Sequence, residues 1–388
     1  MARKETIPEL NLVRGISILA VLMVHATSAS MASMKESSLY GAYVFLNTFS
    51  LFCVPAFIFL TGFVLFYNYY DKPLTISTVK QFFGKRLMSI VIPYLFISIA
   101  YFVLKYFLYY RSLSAPELLD MLGGYLLYGK AYTHLYYVFI IIQFYILFPL
   151  LLFLFQRAVW LARLAIPIGF AVQWSFYYLL KQGVLTVPSK GSVSLTYFSP
   201  FLIGAFFGMY YPRLKRWLAT GPEFRFRGKA AATGAFVLVW LVCASCFVTM
   251  WVVTRTGQGK FESYWYEIGY NAFTVLTSIM LLKLSYWIWA KGASAVKNAL
   301  TDLSSLSFGI YLVHPALLLF YREFPPQTGT SWLHHLWMAG GYALALGGSL
   351  IILLAAYRLT KHAWILFGKV PDKFTAPRGK KPEVTTAA

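Results

Sequence analysis

The segment 10–32 constrains the fold of this chain more than any other, because it is apolar enough to cross a bilayer yet contains a cation and an imidazole. About 20 apolar residues suffice to span the hydrocarbon core, where a charged side chain is costly. The eleven-residue spacing of Arg14 and His25 corresponds in a helix to about three turns, or roughly 16 Å, so both lie on one face. Two interpretations fit this pattern. The face is either an anion anchor with a proton-handling group, or an Arg that snorkels to the headgroups beside a structural His.

Composition excludes a soluble domain. Of the 388 residues, 59% are hydrophobic and only 12% charged, which predicts an all-α polytopic membrane bundle. We assign residues 1–367 to one transmembrane domain. Its apolar runs predict about ten spans, at 10–32, 42–67, 87–109, 135–155, 162–180, 195–211, 230–253, 268–290, 303–320 and 336–354.

The distribution of Lys and Arg predicts the orientation of these spans. With the N-terminus inside, 24 of the 34 basic residues fall in cytoplasmic segments and 9 in outer segments. This bias places both termini in the cytoplasm. The net charge of +21 is then explained by orientation and by contact with anionic lipid, so we predict the bilayer, and no nucleic acid, as the partner of these charges.

Four further features of the sequence allow local predictions. Residues 368–388 are polar, basic and proline-containing, which predicts a disordered cytoplasmic tail. In the outer loop, Ser114 and Glu117 form a capping pattern ahead of spaced leucines, which predicts a short amphipathic helix. The Gly204 and Gly208 pair predicts close helix packing. Cys243 and the cysteine three residues later have neither a second pair nor a nearby His, so we predict no metal site.

The second and third spans add a kink and a second group of cations. Pro55 lies mid-span and removes a backbone hydrogen bond, which predicts a kink. Lys85 and Arg86 stand at the inner boundary of the third span, followed by Tyr94. They are either orientation anchors or, together with Arg14, a clamp for phosphate.

Two more histidines lie in separate spans. His134 opens the fourth, with Gln143 deeper in it, and His314 lies in the ninth beside a proline. A single buried His is usually structural, whereas three in separate spans favour a shared polar cavity. For His314 both interpretations stay open, because a residue before proline disturbs the helix and creates unpaired carbonyl groups that a His can bind.

These residues resemble a known family. R-x10-H at Arg14 and His25, VPAFIFLTGFVL, KRLMSIVIPY, HLYY and FGIYLVHP occur in the order found in the acyltransferase-3 family of bacterial membrane O-acyltransferases. The chain looks most similar to the branch that modifies poly-N-acetylglucosamine-type exopolysaccharide, often with succinyl groups. One departure is Ser89, where many members have a second Arg.

The resemblance implies an acyl-CoA-dependent O-acyltransferase of the bacterial inner membrane that moves an acetyl or succinyl group to a polysaccharide hydroxyl. Acyl-CoA would be a co-substrate, with no permanently bound cofactor, and polysaccharide synthase or export proteins would be partners. His25 would act as base or acyl carrier, with His314 as a second catalytic group. Substrate would be bound by Arg14, Arg86, Lys85, His134, Tyr94 and Gln143. The alternative is a polysaccharide or lipid-linked glycan exporter without acyl-transfer chemistry, although inverted repeats, which are common in transporters, are not evident here.

Overall fold

A computed structural model describes residues 4–326 and 332–375, and within these ranges the chain forms helices and no β-strand. The prediction of an all-α polytopic membrane bundle is confirmed. The helices are α1 Glu9–Ser33, α2 Tyr40–Tyr69, α3 Ile76–Tyr110, α4 Ala115–Tyr128, α5 Tyr136–Arg157, α6 Val159–Arg163, α7 Ala165–Lys181, α8 Phe198–Met209, α9 Tyr211–Leu218, α10 Lys229–Arg255, α11 Ser263–Lys291, α12 Ser294–Tyr321, α13 Trp332–Leu359 and α14 Trp364–Phe367. Short 3-10 turns lie at Lys190–Ser192, Ser194–Tyr197, Pro222–Phe224 and Asp372–Phe374.

Eight of the described helices are long and apolar enough to cross a membrane, namely α1, α2, α3, α5, α10, α11, α12 and α13. The predicted spans 162–180 and 195–211 instead form the shorter helices α7 and α8, of 17 and 12 residues. The ten predicted spans thus correspond to eight long helices and two shorter ones. Hydropathy identifies apolar segments, but it does not give the length of the helix that such a segment forms when it is buried among other helices.

The short helix α8 is packed tightly against α2. A Cβ at Gly62, Gly204 or Gly208 would overlap a backbone carbonyl oxygen of the facing helix. The prediction of close packing at Gly204 and Gly208 is confirmed, since only glycine lets the two backbones approach this far. On the other side of the bundle, Gly15 of α1 meets the backbone of Leu300 in α12 in the same way.

Prolines interrupt the two helices that flank the site. Pro55 cannot donate to the carbonyl of Leu51, and α2 is interrupted by a 3-10 turn at Ser50–Phe52. Pro93 cannot donate to the carbonyl of Ser89, and α3 contains a π-helical turn at Leu87–Val91. Such irregular turns are frequent at functional sites, and Leu51 and Ser89 each line a cavity described below.

The outer helix α4 confirms the capping prediction. It begins after Ser114, whose backbone N–H and hydroxyl donate to Glu117 Oε2 at 2.8 and 2.6 Å. Glycine at position 129 adopts φ +66° and ends the helix.

The last described residues pack against the bundle. Within the predicted tail 368–388, residues 372–374 form a 3-10 turn, and Val370 and Phe374 are half-buried against the hydrophobic core. The part of the tail prediction at 376–388 lies outside the described residues.

Candidate functional site

Three histidines meet inside the bundle, namely His25 of α1, His314 of α12 and His134 of the turn that precedes α5. The ring centroid of His314 lies 5.0 Å from that of His25 and 5.8 Å from that of His134. His134 and His314 are almost wholly buried, at 1% and 0% exposure. The structure therefore brings together three residues that are more than 100 positions apart in the sequence, although it does not test their chemical roles.

The hydrogen bonds of His314 define its protonation pattern. Nδ1 lies 2.9 Å from the carbonyl oxygen of Ile310, and a carbonyl can only accept, so Nδ1 carries the proton. In the neutral ring, Nε2 is then a bare acceptor. It is buried, and no described residue pairs with it. An unpaired buried nitrogen is costly in a native structure, and it offers a binding position for a substrate proton or for another imidazole.

A small cavity of about 70 Å³ lies beside this cluster. His25 and His134 line it, and its remaining wall is aliphatic or aromatic apart from the buried thiol of Cys53. No Lys or Arg is among its lining residues. This cavity, which we term the histidine cavity, holds a small uncharged group better than an anion.

A second and larger cavity of about 430 Å³, the cationic cavity, opens beside the other half of α1. Arg14, Arg86 and Lys369 line it, together with serines of α12, and neither Asp nor Glu does. Among the described residues no carboxylate pairs with either arginine within 4 Å. Arg86 Nε is buried without a hydrogen-bond partner in the described part of the chain, and its guanidinium lies 5.0 Å from the ring centroid of Tyr145. Three cations without an acidic partner favour an anionic ligand, and Arg suits phosphate in particular.

Tyr137 and Tyr311 line both cavities. Their ring centroids are 5.5 Å apart in an edge-to-face arrangement. The Tyr311 hydroxyl donates to the backbone carbonyl of His134, which fixes this ring. The two rings, which we term the tyrosine constriction, separate a wide charged space from a narrow apolar one.

Arg14 thus lies in the cationic cavity and His25 in the histidine cavity, and the two cavities adjoin at the tyrosine constriction. This arrangement favours the functional interpretation of the first span. At the outer end, Arg322 donates to the His25 backbone carbonyl at 2.5 Å and to the Ser28 hydroxyl at 3.2 Å, so it joins α1 to the end of α12.

Three of the predicted binding residues do not line either cavity. Lys85 is exposed on the surface of α3. The Tyr94 hydroxyl donates to the Leu126 carbonyl at 2.8 Å. Gln143 bridges to the 3-10 turns beyond α7, where its amide donates to Ser192 O at 2.7 Å and its oxygen accepts from the Ser194 N–H at 3.0 Å. Their polar groups bind backbone or face outward, and substrate binding by these three residues stays a prediction.

The sequence analysis missed other residues of the site. Tyr137 and Tyr311 stand within the HLYY and FGIYLVHP motifs, so a weaker signal for them was present. Ser304 and the neighbouring serines of α12 gave no such signal in the sequence, because serines in an apolar helix are common packing residues. Lys369 fell in the segment predicted to be disordered.

The described residues contain no group of three or more His, Cys, Asp or Glu side chains arranged to hold a metal ion.

Comparisons with known proteins agree with the predicted family. A family model described as "Acyltransferase domain" matches residues 7–354. Proteins of Staphylococcus aureus strains MSSA476 and MRSA252, each named "Probable poly-beta-1,6-N-acetyl-D-glucosamine export protein", are 21% identical to this chain over 323 residues, which cover 80% of this chain and 82% of theirs. No solved structure matches the chain.

Proposed function

The chain belongs to the acyltransferase-3 family, and from this premise we propose that it transfers a small acyl group from cytoplasmic acyl-CoA to a hydroxyl of an exported polysaccharide, in the inner membrane of a bacterium. The observation that carries the proposal is the path along α1. Along this helix a cationic cavity and an apolar cavity with histidines adjoin each other at the tyrosine constriction.

This path matches the parts of an acyl-CoA in order. Its diphosphate would bind Arg14 and Arg86, its pantetheine arm would pass between Tyr137 and Tyr311, and its thioester would lie beside His25. Arg14 and His25 are separated by about three helical turns, or roughly 16 Å, a distance that an extended pantetheine arm bridges.

The residues at the thioester would then perform general base catalysis. His25 would take the proton from the attacking hydroxyl, whose oxygen forms a bond to the thioester carbon. The carbon–sulfur bond then breaks, and the proton passes to the departing thiolate, which leaves as coenzyme A. The bare Nε2 of His314 would accept an N–H from the His25 imidazole and hold that ring in one orientation.

The proposal that the acceptor is a polysaccharide rests on the relatives, whose names refer to poly-N-acetylglucosamine. The hydroxyl would approach from the outer end of the bundle, where His134 is surrounded by Tyr101, Tyr132 and Tyr311. Aromatic rings of this kind pack against sugar faces.

The histidine cavity favours acetyl over succinyl as the acyl group. The cavity is small, at about 70 Å³, and suits a short acyl group such as acetyl. A succinyl group is longer and ends in a carboxylate, and the lining offers that charge no cation. Burying an unpaired carboxylate is strongly unfavourable.

We therefore expect the purified protein in detergent to release coenzyme A from acetyl-CoA when a poly-N-acetylglucosamine oligomer is present, and at least tenfold more slowly from succinyl-CoA. Free thiol is measured by a colorimetric reagent, and the acylated oligomer by mass spectrometry.

Leu51→Ala removes a side chain from the wall of the histidine cavity and should raise the rate with propionyl-CoA relative to acetyl-CoA. Leu60→Ala makes the same change in the cationic cavity and should leave that ratio unchanged.

The outcomes separate the reaction from the choice of acyl group. No acceptor-dependent thiol release from any acyl-CoA would refute the proposed reaction. Turnover of succinyl-CoA at the rate of acetyl-CoA would keep the reaction and refute the acyl assignment.

Glycan export is the second candidate function, because the relatives are named as export proteins. An exporter needs two compartments and produces no new bond, so it shows no turnover in detergent. The small histidine cavity also argues against it, because a sugar unit is much larger than a cavity of about 70 Å³.

The arginines of the cationic cavity give a further prediction. Arg14→Gln and Arg86→Gln should each raise the KM for acetyl-CoA about tenfold with little change in kcat, because a phosphate far from the reacting carbon is held equally in ground and transition states. Steady-state kinetics over acetyl-CoA concentration measure both constants. Arg157→Gln, an exposed position outside both cavities, is the control. An unchanged KM in both cavity variants would show that the arginines only anchor the helices.

A further inference from the structure

We propose that the segment 367–375, here the C-terminal segment, forms a wall of the donor site, and that its Lys369 binds the 3′-phosphate of coenzyme A. The inference rests on the proposed function and extends it to a residue that selects the donor. Lys369 and Pro371 line the cationic cavity together with Arg14 and Arg86.

Specific contacts hold the C-terminal segment at the bundle. The hydroxyl of Tyr357 in α13 lies 3.0 Å from Phe367 O and 2.8 Å from Gly368 O. Lys373 forms an ion pair with Asp302 of α12. Phe374 packs on the hydrophobic core. The segment is thus tied to α12 and α13 on both sides of Lys369.

Gly368 brings this segment against the wall of the cavity. Its φ of +79° lies in the region that favours glycine. A Cβ at this position would come within 2.8 Å of Phe308 Cδ1 and 3.5 Å of Ser89 O. Phe308 and Ser89 themselves line the cationic cavity, so the backbone around Gly368 closes its edge.

The different exposure of the three cations indicates which phosphate of the donor each of them binds. Arg14 and Arg86 are half-buried, whereas Lys369 is exposed, with its Nζ 5.7 Å from the Trp364 ring centroid. A donor whose pantetheine arm enters the bundle keeps its diphosphate inside and its 3′-phosphate nearest to water. The ammonium of Lys369 has no carboxylate partner among the described residues, and a mobile point charge suits a terminal phosphate at a wet edge.

The test compares acetyl-CoA with 3′-dephospho-acetyl-CoA in the full-length protein. In the wild type, we expect loss of the 3′-phosphate to raise the KM about fivefold. Lys369→Gln should raise the KM for acetyl-CoA by a similar factor, and it should leave the KM for the dephospho donor unchanged, with kcat unchanged for both. Lys361→Gln, an exposed lysine outside the cavity, should behave as wild type. Tyr357→Phe loosens the segment without removing charge and should give a smaller increase for acetyl-CoA only.

Equal KM increases with both donors in Lys369→Gln, or no increase with either, would overturn the inference. Wild-type protein that turns over neither donor would instead refute the proposed function. Circular dichroism and elution volume check that each variant is folded.

Discussion

His25→Ala should lower kcat for acetyl transfer about 10³-fold while the protein still binds acetyl-CoA. A positioned general base contributes roughly 10²- to 10⁴-fold to a reaction rate, and Ala leaves no group that accepts the hydroxyl proton. The donor phosphates bind at the other end of the path, so the affinity for acetyl-CoA should change less than threefold. Thiol release gives kcat, and calorimetry gives the donor affinity.

The matched control is His362→Ala, which removes an exposed imidazole outside both cavities. Both variants should elute and unfold as the wild type does. Full transfer activity in His25→Ala, at the wild-type protein level, would remove His25 from the reaction.

A single-turnover experiment separates the two chemical roles of His25. With radiolabelled acetyl-CoA and no acceptor, an acyl-carrying His25 would retain label on the wild-type protein and none on His25→Ala. A general base retains none on either. We expect no label, because attack by the hydroxyl on the thioester needs no covalent intermediate.

The helical architecture could be predicted from sequence because the physics of the bilayer is simple. Long apolar segments must be helical in lipid, since their backbone groups find no water. Segments 162–180 and 195–211 were equally apolar, yet they form shorter helices. Tight packing of Gly204 and Gly208 against α2 determines the position of α8, and such contacts between distant segments are not visible in local hydropathy.

The candidate site was predictable to the extent that it consists of residues that are costly in a membrane. Arg14, His25 and His314 each needed polar neighbours, and the structure places Arg14 in a cavity with two other cations and His25 beside His314. Lys85 and Arg86 are adjacent and chemically alike, but only the helical phase of α3 determines that Arg86 faces the cavity and Lys85 the exterior. Lys369 was missed because its segment is polar and lacks a periodic pattern, and its order comes from contacts with α12 and α13.

His314→Gln should lower kcat about 10²-fold with the KM for acetyl-CoA unchanged. The position of His314 supports a role beyond packing, because its Nε2 is buried without a described partner 5.0 Å, centroid to centroid, from the His25 ring. A purely structural buried His would have partners for both ring nitrogens, whereas only Nδ1 is paired here, with the Ile310 carbonyl. A glutamine amide can still donate to that carbonyl, but its remaining oxygen does not reproduce the position of Nε2, so the His25 imidazole loses its fixed orientation.

The pH profile distinguishes positioning from structural damage. If His314 orients the base, His314→Gln should shift the midpoint of the kcat profile on the acidic side, because the nearest neighbour of the His25 ring has changed. His134 and Tyr311 also lie beside the His314 ring, and Arg322 binds the His25 carbonyl. Tyr311→Phe is therefore measured alongside, to account for the loss of a neighbouring polar group. A folded His314→Gln with wild-type kcat and an unshifted profile would establish that His314 has only a structural role, in which it binds the Ile310 carbonyl next to Pro315. A hundredfold loss with a shifted profile, unchanged donor affinity and unchanged unfolding temperature would establish that it positions the catalytic imidazole.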